Sequence, residues 1–145
     1  MVVERVFIQK PDIMELRGQG FSCVDMHVHS NYSDGLNRVE TILRKAEKKG
    51  FGVAVTDHNE IKGALRADFL NRNVLLIPGI ELSSTEGPDL LFYFQGFNDL
   101  LEFYNKHVHQ RRHKKDPFTR LNMSFFEMLD LGNSYNCVMS LAHPY

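Results

Sequence analysis

Strand-length apolar runs alternate with segments of helical periodicity along most of the chain. Residues 21–29, FSCVDMHVH, alternate strictly, with Val24, Met26 and Val28 on one face of a strand and polar side chains on the other. The other strand-like runs are more continuously apolar and occupy residues 51–58, 73–82, 90–97 and 137–145. The pattern predicts five strands, and the run at 51–58 is typical of a strand buried on both faces.

Apolar residues at three- and four-residue spacing predict helices between these strands. The clearest apolar stripe follows the first strand and consists of Val39, Ile42, Leu43 and Ala46. We expect Asn37 and Glu40 to form a capping box at the start of this helix and Gly50 to end it. Residues 61–70 predict a second, shorter helix.

Two further helices are predicted in the second half of the chain. A helix at residues 99–113 would place Leu101, Tyr104 and Val108 on one face. A helix that follows residue 123 would have Ser124 and Glu127 as a capping box and Gly132 as its stop. The alternation of strands and helices predicts an α/β protein built of parallel βα units.

The composition describes an ordinary globular protein, with 43% hydrophobic and 24% charged residues in a chain of 145. A net charge of -1 provides no overall attraction to nucleic acid or membrane. Apolar runs no longer than a strand exclude a membrane span, and no signal peptide is evident. Cys23 and Cys137 are interpreted as reduced thiols of a cytoplasmic protein, and no feature indicates an obligate protein partner.

Side chains that commonly bind metals stand where the predicted strands end. They are His27, His29, Asp57, His58, Glu81 and His143, with Asp34 in a turn after the first strand. Because the carboxyl ends of parallel strands meet at one edge, we expect these groups to converge. Each motif alone is weak: a His-x-His pair can be a surface feature, and Asp57 can cap a helix. Their joint occurrence, in order, predicts a site for zinc, manganese or iron.

Four stretches, DMHVHSNYSDG, VTDHNEIKGA, IPGIELSS and LAHPY, resemble the successive motifs of the PHP family, named for polymerase and histidinol phosphatase. The resemblance runs over residues 24–145 and implies a PHP-type domain at 21–145 after an extension at 1–20. It implies a distorted barrel of about seven βα units and two or three divalent ions at its carboxyl face. It also implies hydrolysis of phosphoesters by a metal-activated water.

The resemblance further implies how the ligands are shared among ions. The implied sets are His27, His29 and Glu81 for one ion, Asp34 and His58 for a second, and Glu81 again with His143 for a further ion. Asp57 is expected to orient neighbouring groups without binding an ion.

Two departures from the family pattern change what we expect. Many members carry a histidine on the strand after the glutamate, whereas residues 88–97, PDLLFYFQGF, place leucine and phenylalanine there. The family usually supplies a final Asp-x-His beyond the last motif, whereas this chain stops at Tyr145. Since a βα barrel takes about 200 residues or more, we expect a fragment or an incomplete product. The activity of this chain alone therefore stays open.

Three functions remain open: hydrolysis of a small phosphomonoester or nucleotide, hydrolysis of a short oligonucleotide, and a non-catalytic metal-binding or regulatory role. The basic segment 106–115, KHVHQRRHKK, bears on the second. We interpret it as a solvated helix end, because no aromatic side chains interleave with its charges. Its histidines at 107, 109 and 113 are rejected as ligands, since a helix directs a His-x-His pair to different faces.

Overall fold

The computed structural model describes residues 12–70, 73–112 and 120–143, and the structural statements below concern these ranges. The strands are β1 Val24–Val28, β2 Gly52–Val55, β3 Gly79–Ser83, β4 Asp89–Phe94 and β5 Cys137–Leu141. The α-helices are α1 Ile13–Gly18, α2 Val39–Lys49, α3 Lys62–Leu70, α4 Phe97–Phe103 and α5 Phe125–Asn133. All five predicted strands are present, and each predicted helical segment contains a helix.

The strands form two sheets that differ in direction. β1 and β2 are parallel, as predicted, whereas β3, β4 and β5 form an antiparallel sheet in that order. The prediction of parallel units is therefore wrong for β3 to β5. Only residues 84–88 join β3 to β4, and so short a connection reverses the chain because a parallel crossover needs about a dozen residues.

A parallel bridge from His58, just after β2, to Glu81 of β3 links the two sheets into one mixed α/β fold, and a second joins Val53 of β2 to Leu76, just before β3. Within the described ranges the sheets do not close into a barrel. The complete barrel implied by the family resemblance therefore stays a prediction.

The antiparallel sheet buries one face against the helices of the second half of the chain. Ile80, Leu82 and Phe92 are completely or almost completely buried there, together with Phe103 of α4 and Met128 of α5. The aromatic residues at 92–94 are all buried. This large cluster holds β3, and with it Glu81, in a fixed position.

The opposite face of the sheet carries a smaller cluster formed by Ala54, Leu91, Tyr93 and Ala142. Oη of Tyr93 donates a hydrogen bond to the carbonyl oxygen of Met26 at 2.8 Å. Burial raises the pKa of Tyr93 to about 12, so the phenol keeps its proton and remains a donor. The bond ties β4 to β1, which carries the first candidate ligand.

α2 ends as the sequence predicts but begins differently. Gly50 caps the helix with a left-handed φ of 68°. The residue at the amino-terminal cap is Arg38, which makes no side-chain capping bond, so the predicted box of Asn37 and Glu40 is wrong. Glu40 instead binds Arg66 of α3 at 2.7 Å. This ion pair joins the two helices that flank β2.

The predicted helix at 99–113 is interrupted. α4 continues into a π-helical turn, Tyr104–Val108, and a 3₁₀ turn, His109–Arg111. The buried face before the π turn is displaced by one residue, since the wider turn changes the register. Leu100 is therefore fully buried, and Leu101, which the sequence predicts on the buried face, is 38% exposed.

α5 begins at the predicted cap and runs past its predicted stop. Oγ of Ser124 accepts the backbone N–H of Glu127 at 3.1 Å, which confirms the amino-terminal cap. The helix continues beyond Gly132 to Asn133. A Cβ atom at position 132 would overlap Sδ of Met139, so this glycine lets α5 pack closely on β5.

The predicted extension at 1–20 contains α1, and its residues 1–11 lie outside the described ranges. Nη1 of Arg17 donates to the carbonyl oxygen of Lys49 at 2.9 Å and fastens α1 to the end of α2. Both cysteines, Cys23 and Cys137, are free thiols, as predicted. No helix in the described ranges is long and apolar enough to cross a bilayer.

Candidate metal centre

The candidate ligands come from four strands and the loops that follow them. His27 lies in β1, His29 just after it, Asp34 in the next loop, His58 after β2, Glu81 in β3 and His143 after β5. The sequence predicts Glu81 at a strand end, whereas it is the central residue of β3. His58 still lies beside it, because the segment after β2 pairs in parallel with β3 at these two residues.

Three donor atoms from β1 and β3 form a nearly equilateral triangle. Nε2 of His27 lies 2.8 Å from Nε2 of His29 and 3.0 Å from Oε2 of Glu81. The third side, from Nε2 of His29 to Oε2 of Glu81, measures 2.9 Å. The structure therefore brings together the three side chains that the family resemblance assigns to one ion.

The spacing of this triangle fits a divalent ion. Two ligands about 2.1 Å from an ion are about 3.0 Å apart at the right angles of octahedral coordination and about 3.4 Å apart at the tetrahedral angle of most zinc sites, so the triangle lies nearer the octahedral spacing. Oε1 of Glu81 is buried, and no group in the described ranges bonds to it. A buried, unpaired carboxylate oxygen is costly, and a nearby cation would remove that cost. The nitrogen and oxygen donors suit zinc, manganese or iron.

A second group of candidate ligands shares Glu81 with the first. Nδ1 of His58 lies 3.5 Å from Oε2 of Glu81, and Nε2 of His58 lies 3.7 Å from Oδ2 of Asp34. Oδ1 of Asp34 lies 2.7 Å from Nδ1 of His29. His29, His58 and Glu81 can each direct one donor atom to a common point, with Asp34 against both imidazoles.

His143 reaches the same cluster from the end of β5. Its ring centroid lies 5.1 Å from that of His27, and one donor atom each from His27, Glu81 and His143 lies within 4.8 Å of the others. The backbone at His143 is left-handed, with φ 45°, which is uncommon for a residue other than glycine. The ligand sets implied by the resemblance are thus regrouped around Glu81, which belongs to both groups.

Two carboxylates of the candidate metal centre, Glu81 and Asp34, and the imidazole of His29 shift each other's pKa values toward the charged forms. Burial acts to raise the pKa of Glu81, but the hydrogen bond with His29 and the nearby His58 and His27 outweigh burial, and this pKa lies below its ordinary value. Burial acts to lower the pKa of His29, and Glu81 and Asp34 raise it above the ordinary value. Burial acts to raise the pKa of Asp34, but the charge and hydrogen bond of His29 oppose it, and this pKa lies below its ordinary value. Ionised carboxylates thus face the imidazole of His29.

Asp57, which directly precedes His58, is fully buried. Its Oδ1 accepts the backbone N–H of Ser30 and the hydroxyl of Ser33, and its Oδ2 accepts the hydroxyl of Ser30, all at 2.7 Å. Both serines belong to the loop between β1 and α2 that carries Asp34. Asp57 therefore contacts that loop, and its role in orienting neighbouring groups stays a proposal.

Asn59 shapes the loop after β2. It adopts a left-handed φ of 53°, which asparagine tolerates better than most residues. Its backbone N–H donates to the carbonyl oxygen of Glu81 at 2.8 Å, and its Oδ1 accepts the N–H of Ser83 at 3.0 Å. Oγ of Ser83 lies 3.1 Å from Nδ1 of His58. These bonds continue the parallel pairing beyond β2 and keep His58 beside β3.

Sequence reasoning missed a buried ion pair next to the same loop. Oε2 of Glu60 accepts Nη1 of Arg112 at 2.8 Å, and this guanidinium nitrogen also donates to Oη of Tyr104 at 2.8 Å. Oε1 of Glu60 accepts the backbone N–H of Ile61 at 3.0 Å. The pair joins the end of the α4 region to the loop of His58. No spacing in the sequence links Glu60 to Arg112, because 52 positions separate them.

The fourth strand, β4, carries no histidine beside the candidate ligands. Leu91 of β4 stands directly opposite Glu81 in the antiparallel register and is 4% exposed. Directly opposite residues share one face of a sheet. An apolar side chain therefore lies beside the shared carboxylate, on the strand where the family resemblance implies an imidazole.

Within the described part of the basic segment, four side chains bond to other residues of the protein. Nη1 of Arg111 binds Glu127 of α5, and Nζ of Lys106 binds Glu102 at 2.6 Å. Nε2 of His107 lies 2.8 Å from Oη of Tyr135, away from the candidate ligands. These contacts favour the interpretation as a helix end. Residues 113–115 of the segment lie outside the described ranges.

Solved structures with a similar fold are hydrolytic proteins. The lesion-specific endonuclease Q of Pyrococcus furiosus matches with a TM-score of 0.64 and 20% identity, over 83% of this chain and 34% of that chain. An amidohydrolase from Chromobacterium violaceum, solved with bound sulfate and no metal, matches with a TM-score of 0.59 and 12% identity, over 85% and 67% of the two chains. At these identities the likeness establishes the fold.

A curated relative and the model of one domain family also match parts of this chain. The uncharacterized protein MJ1587 of Methanocaldococcus jannaschii is 35% identical over a region that covers 43% of this chain and 45% of that protein. The chain therefore spans less than half of this relative and about a third of endonuclease Q. The model of the PHP domain matches residues 25–134, which include every candidate ligand except His143. The chain belongs to the PHP domain family.

Proposed function

We propose that this chain catalyses the metal-dependent hydrolysis of phosphoesters. The proposed ligands are His27, His29, Asp34, His58, Glu81 and His143. The observation that carries the proposal is the position of Glu81, whose Oε2 lies within 3.5 Å of nitrogen atoms from three histidines. An ionised carboxylate surrounded by imidazoles in this way is a site for two or three divalent ions, which we take to be zinc, manganese or iron.

The side chains of this cluster have distinct tasks in the proposed reaction. Ions bound here would supply Lewis-acid activation of water and neutralise phosphate charge. Glu81 stays ionised at neutral pH because its pKa is lowered, and it holds the two ligand groups together. Asp34 binds Nδ1 of His29 and so directs Nε2 of that ring toward Glu81. The open side of Asp34, which is 52% exposed, lets substrate approach from solvent.

The proposed substrate is a phosphomonoester, a nucleotide or a short oligonucleotide. Endonuclease Q has been solved with a 27-mer duplex that carries an abasic lesion at the active site, which supports the oligonucleotide. An observation against the oligonucleotide is that Arg111 is paired with Glu127 and Arg112 with Glu60, so both guanidinium groups already bind a carboxylate of the protein. We therefore favour a small phosphoester. The predicted cytoplasmic location belongs to this proposal and rests on the two free thiols.

A second candidate, a non-catalytic metal-binding or regulatory domain, is favoured by one observation. Leu91 stands opposite Glu81 where a further imidazole is expected. A centre that lacks a ligand on this side could bind metal without turnover. Metal binding and turnover must therefore be measured separately.

The test is a hydrolysis screen of the purified chain after reconstitution with Mn²⁺ or Zn²⁺. An aryl phosphate, nucleotides and a short RNA are the substrates, and Glu81→Gln is compared with the exposed control Glu102→Gln. We expect metal-dependent turnover that Glu81→Gln abolishes and Glu102→Gln retains. Metal binding without turnover on any substrate would support the regulatory candidate and contradict the proposed catalysis.

The salt dependence of RNA cleavage distinguishes the substrate classes. If Arg111 contacts a polynucleotide phosphate, Arg111→Ser should flatten the dependence of binding on salt. We expect no change, because Arg111 is bound to Glu127. A flatter dependence would favour an oligonucleotide substrate over the small phosphoester.

A further inference from the structure

A buried hydrogen-bonded cluster connects the two chain segments that carry the second ligand group. Ser30 directly follows His29, and Asp57 directly precedes His58. The carboxylate of Asp57 receives three hydrogen bonds of 2.7 Å from Ser30 and Ser33. Ser30 and Asp57 are fully buried. A bond between the neighbours of two ligands fixes the separation of the ligands themselves.

Gly63 of α3 packs against the hydrogen-bonded side chains of Asp57 and Ser30. A Cβ atom at position 63 would overlap Oδ2 of Asp57 and would lie 2.7 Å from Oγ of Ser30. Glycine is otherwise unfavourable within a helix, because it has more backbone freedom to lose than alanine. Its presence near the start of α3 is explained by the space that the carboxylate of Asp57 needs.

The His27–Glu81–His143 group is positioned mainly by strand pairing. His27 lies within β1, Glu81 is the centre of β3, and His143 follows β5. Strand pairing and the link from Tyr93 to Met26 hold these three elements in place. The side-chain bonds of Ser30, Ser33 and Asp57 thus connect the segments that carry His29, Asp34 and His58, and within the described ranges the one direct bond to the other group is from the backbone N–H of Glu81 to the carbonyl oxygen of Asp57 at 3.4 Å.

We propose that Ser30, Ser33, Asp57 and Gly63 form a positioning lock that sets metal affinity in the His29–His58–Glu81 group, independently of the His27–Glu81–His143 group. This inference rests on the proposed function, since it requires that the cluster binds metal. Asp57 is a positioning residue in it and acts through the loop that carries His29 and Asp34. Residues that orient metal ligands typically contribute about 10- to 100-fold in metal affinity.

The test is a titration of the metal-free chain with Zn²⁺ against a chromophoric chelator, which resolves binding sites of different affinity. Ser30→Ala, Asp57→Asn and Gly63→Ala each perturb the lock in a different way. We expect each variant to weaken Zn²⁺ binding at the His29–His58–Glu81 group by about 10- to 100-fold. Zn²⁺ binding at the His27–Glu81–His143 group should stay unchanged. Ser33→Ala should also weaken Zn²⁺ binding at the His29–His58–Glu81 group. Ser33→Thr keeps the hydroxyl and should therefore retain the wild-type affinity for Zn²⁺.

Gly132→Ala is the matched control. Like Gly63→Ala, it replaces a helical glycine and introduces a Cβ atom that overlaps a neighbouring side chain. Here the neighbour is Met139 of β5, outside the metal centre. We expect it to lower thermal stability and to leave both classes of metal site unchanged. Gly63→Ala should instead change affinity even if its thermal stability equals that of Gly132→Ala.

The outcomes separate this inference from the proposed function. A wild-type chain that binds no divalent ion would overturn both. A wild type that binds two ions, with lock variants that lose both equally or lose neither, would overturn the lock alone. Asp57→Asn preserves the size of the side chain and so provides a folded variant if Ser30→Ala does not fold.

Discussion

Nε2 of His27 lies 3.0 Å from Oε2 of Glu81, although 54 positions separate the two residues in the chain. Two structural features produce this contact. The parallel pairing of β1 with β2, and of the segment after β2 with β3, aligns the three chain segments. The apolar core beneath β3 then holds Glu81 against the imidazoles. The metal centre is thus a consequence of strand register.

Replacement of His58 or Asp34 by alanine should remove most turnover and leave the fold intact. Asp34 is about half exposed and His58 lies outside the apolar clusters, so neither truncation opens a core cavity. Turnover on an aryl phosphate and the midpoint of thermal unfolding are the measurements. Variants that retain normal turnover with metal present would show that these residues are not ligands.

The stability of the metal-free chain should decrease as pH rises above the ordinary pKa of histidine. The pKa of His29 is raised above 6.5 in the folded chain, so its contribution is complete below 6.5 and is lost as pH rises through the folded value. The pKa of Glu81 is lowered from 4.5, so its contribution is present above 4.5 and is lost as pH falls through the folded value.

Metal should reverse this dependence on pH, because an imidazole must lose its proton to bind an ion. Thermal unfolding between about pH 6 and pH 8, with and without Zn²⁺, is the measurement. We expect the midpoint of the metal-free chain to fall and the stabilisation by Zn²⁺ to grow over this range. Equal slopes with and without Zn²⁺ would contradict a metal site at His29.

Leu91→His should strengthen metal binding. The new imidazole would stand opposite Glu81, where directly paired residues have Cβ atoms about 4.5–5.5 Å apart. Leu90→His is the control, because Leu90 is equally buried but its side chain packs in the opposite core. Titration with Mn²⁺ should show tighter binding for the first variant alone. Unchanged affinity in Leu91→His would show that this position does not reach the centre.

Arg112→Met should destabilise the fold by about 2 kcal/mol, since the buried carboxylate of Glu60 then keeps only the exposed Lys62, 3.4 Å away, as its cation. Adding Glu60→Gln to this variant should restore part of the loss. Arg111→Ala is the control, because its pair with Glu127 is partly exposed and should contribute less than about 1 kcal/mol. Urea unfolding measures all three. Equal losses for the two arginines would contradict a structural role for the buried pair.

The sequence predicts the ligands better than it predicts the sheet. His27, His29 and His58 stand out because they interrupt or end apolar runs, and the structure brings them together. The antiparallel direction of β4 was missed, although the short polar connection at 84–88 between two apolar runs is typical of a hairpin. Alternation of strands and helices elsewhere in the chain favoured the wrong direction there.

Other features depend on contacts that no local pattern contains. The π turn at Tyr104–Val108 shifts the buried face of the helix, and periodicity alone gives no sign of it. Glu60 and Arg112 meet only after folding, as do Asp57 and Ser30. Long-range polar pairs of this kind are determined by strand register and helix packing, so they become visible only in the folded chain.

Zinc titration of the metal-free chain, comparing wild type with Glu81→Gln and Glu102→Gln, tests the shared role of Glu81 most directly. Because Oε2 of Glu81 contacts both ligand groups, its replacement should weaken every site together, by more than about 100-fold if a direct ligand exceeds the effect of an orienting residue. Glu102→Gln should bind as wild type does. Unchanged zinc affinity and stoichiometry in Glu81→Gln would contradict a metal centre organised around this carboxylate.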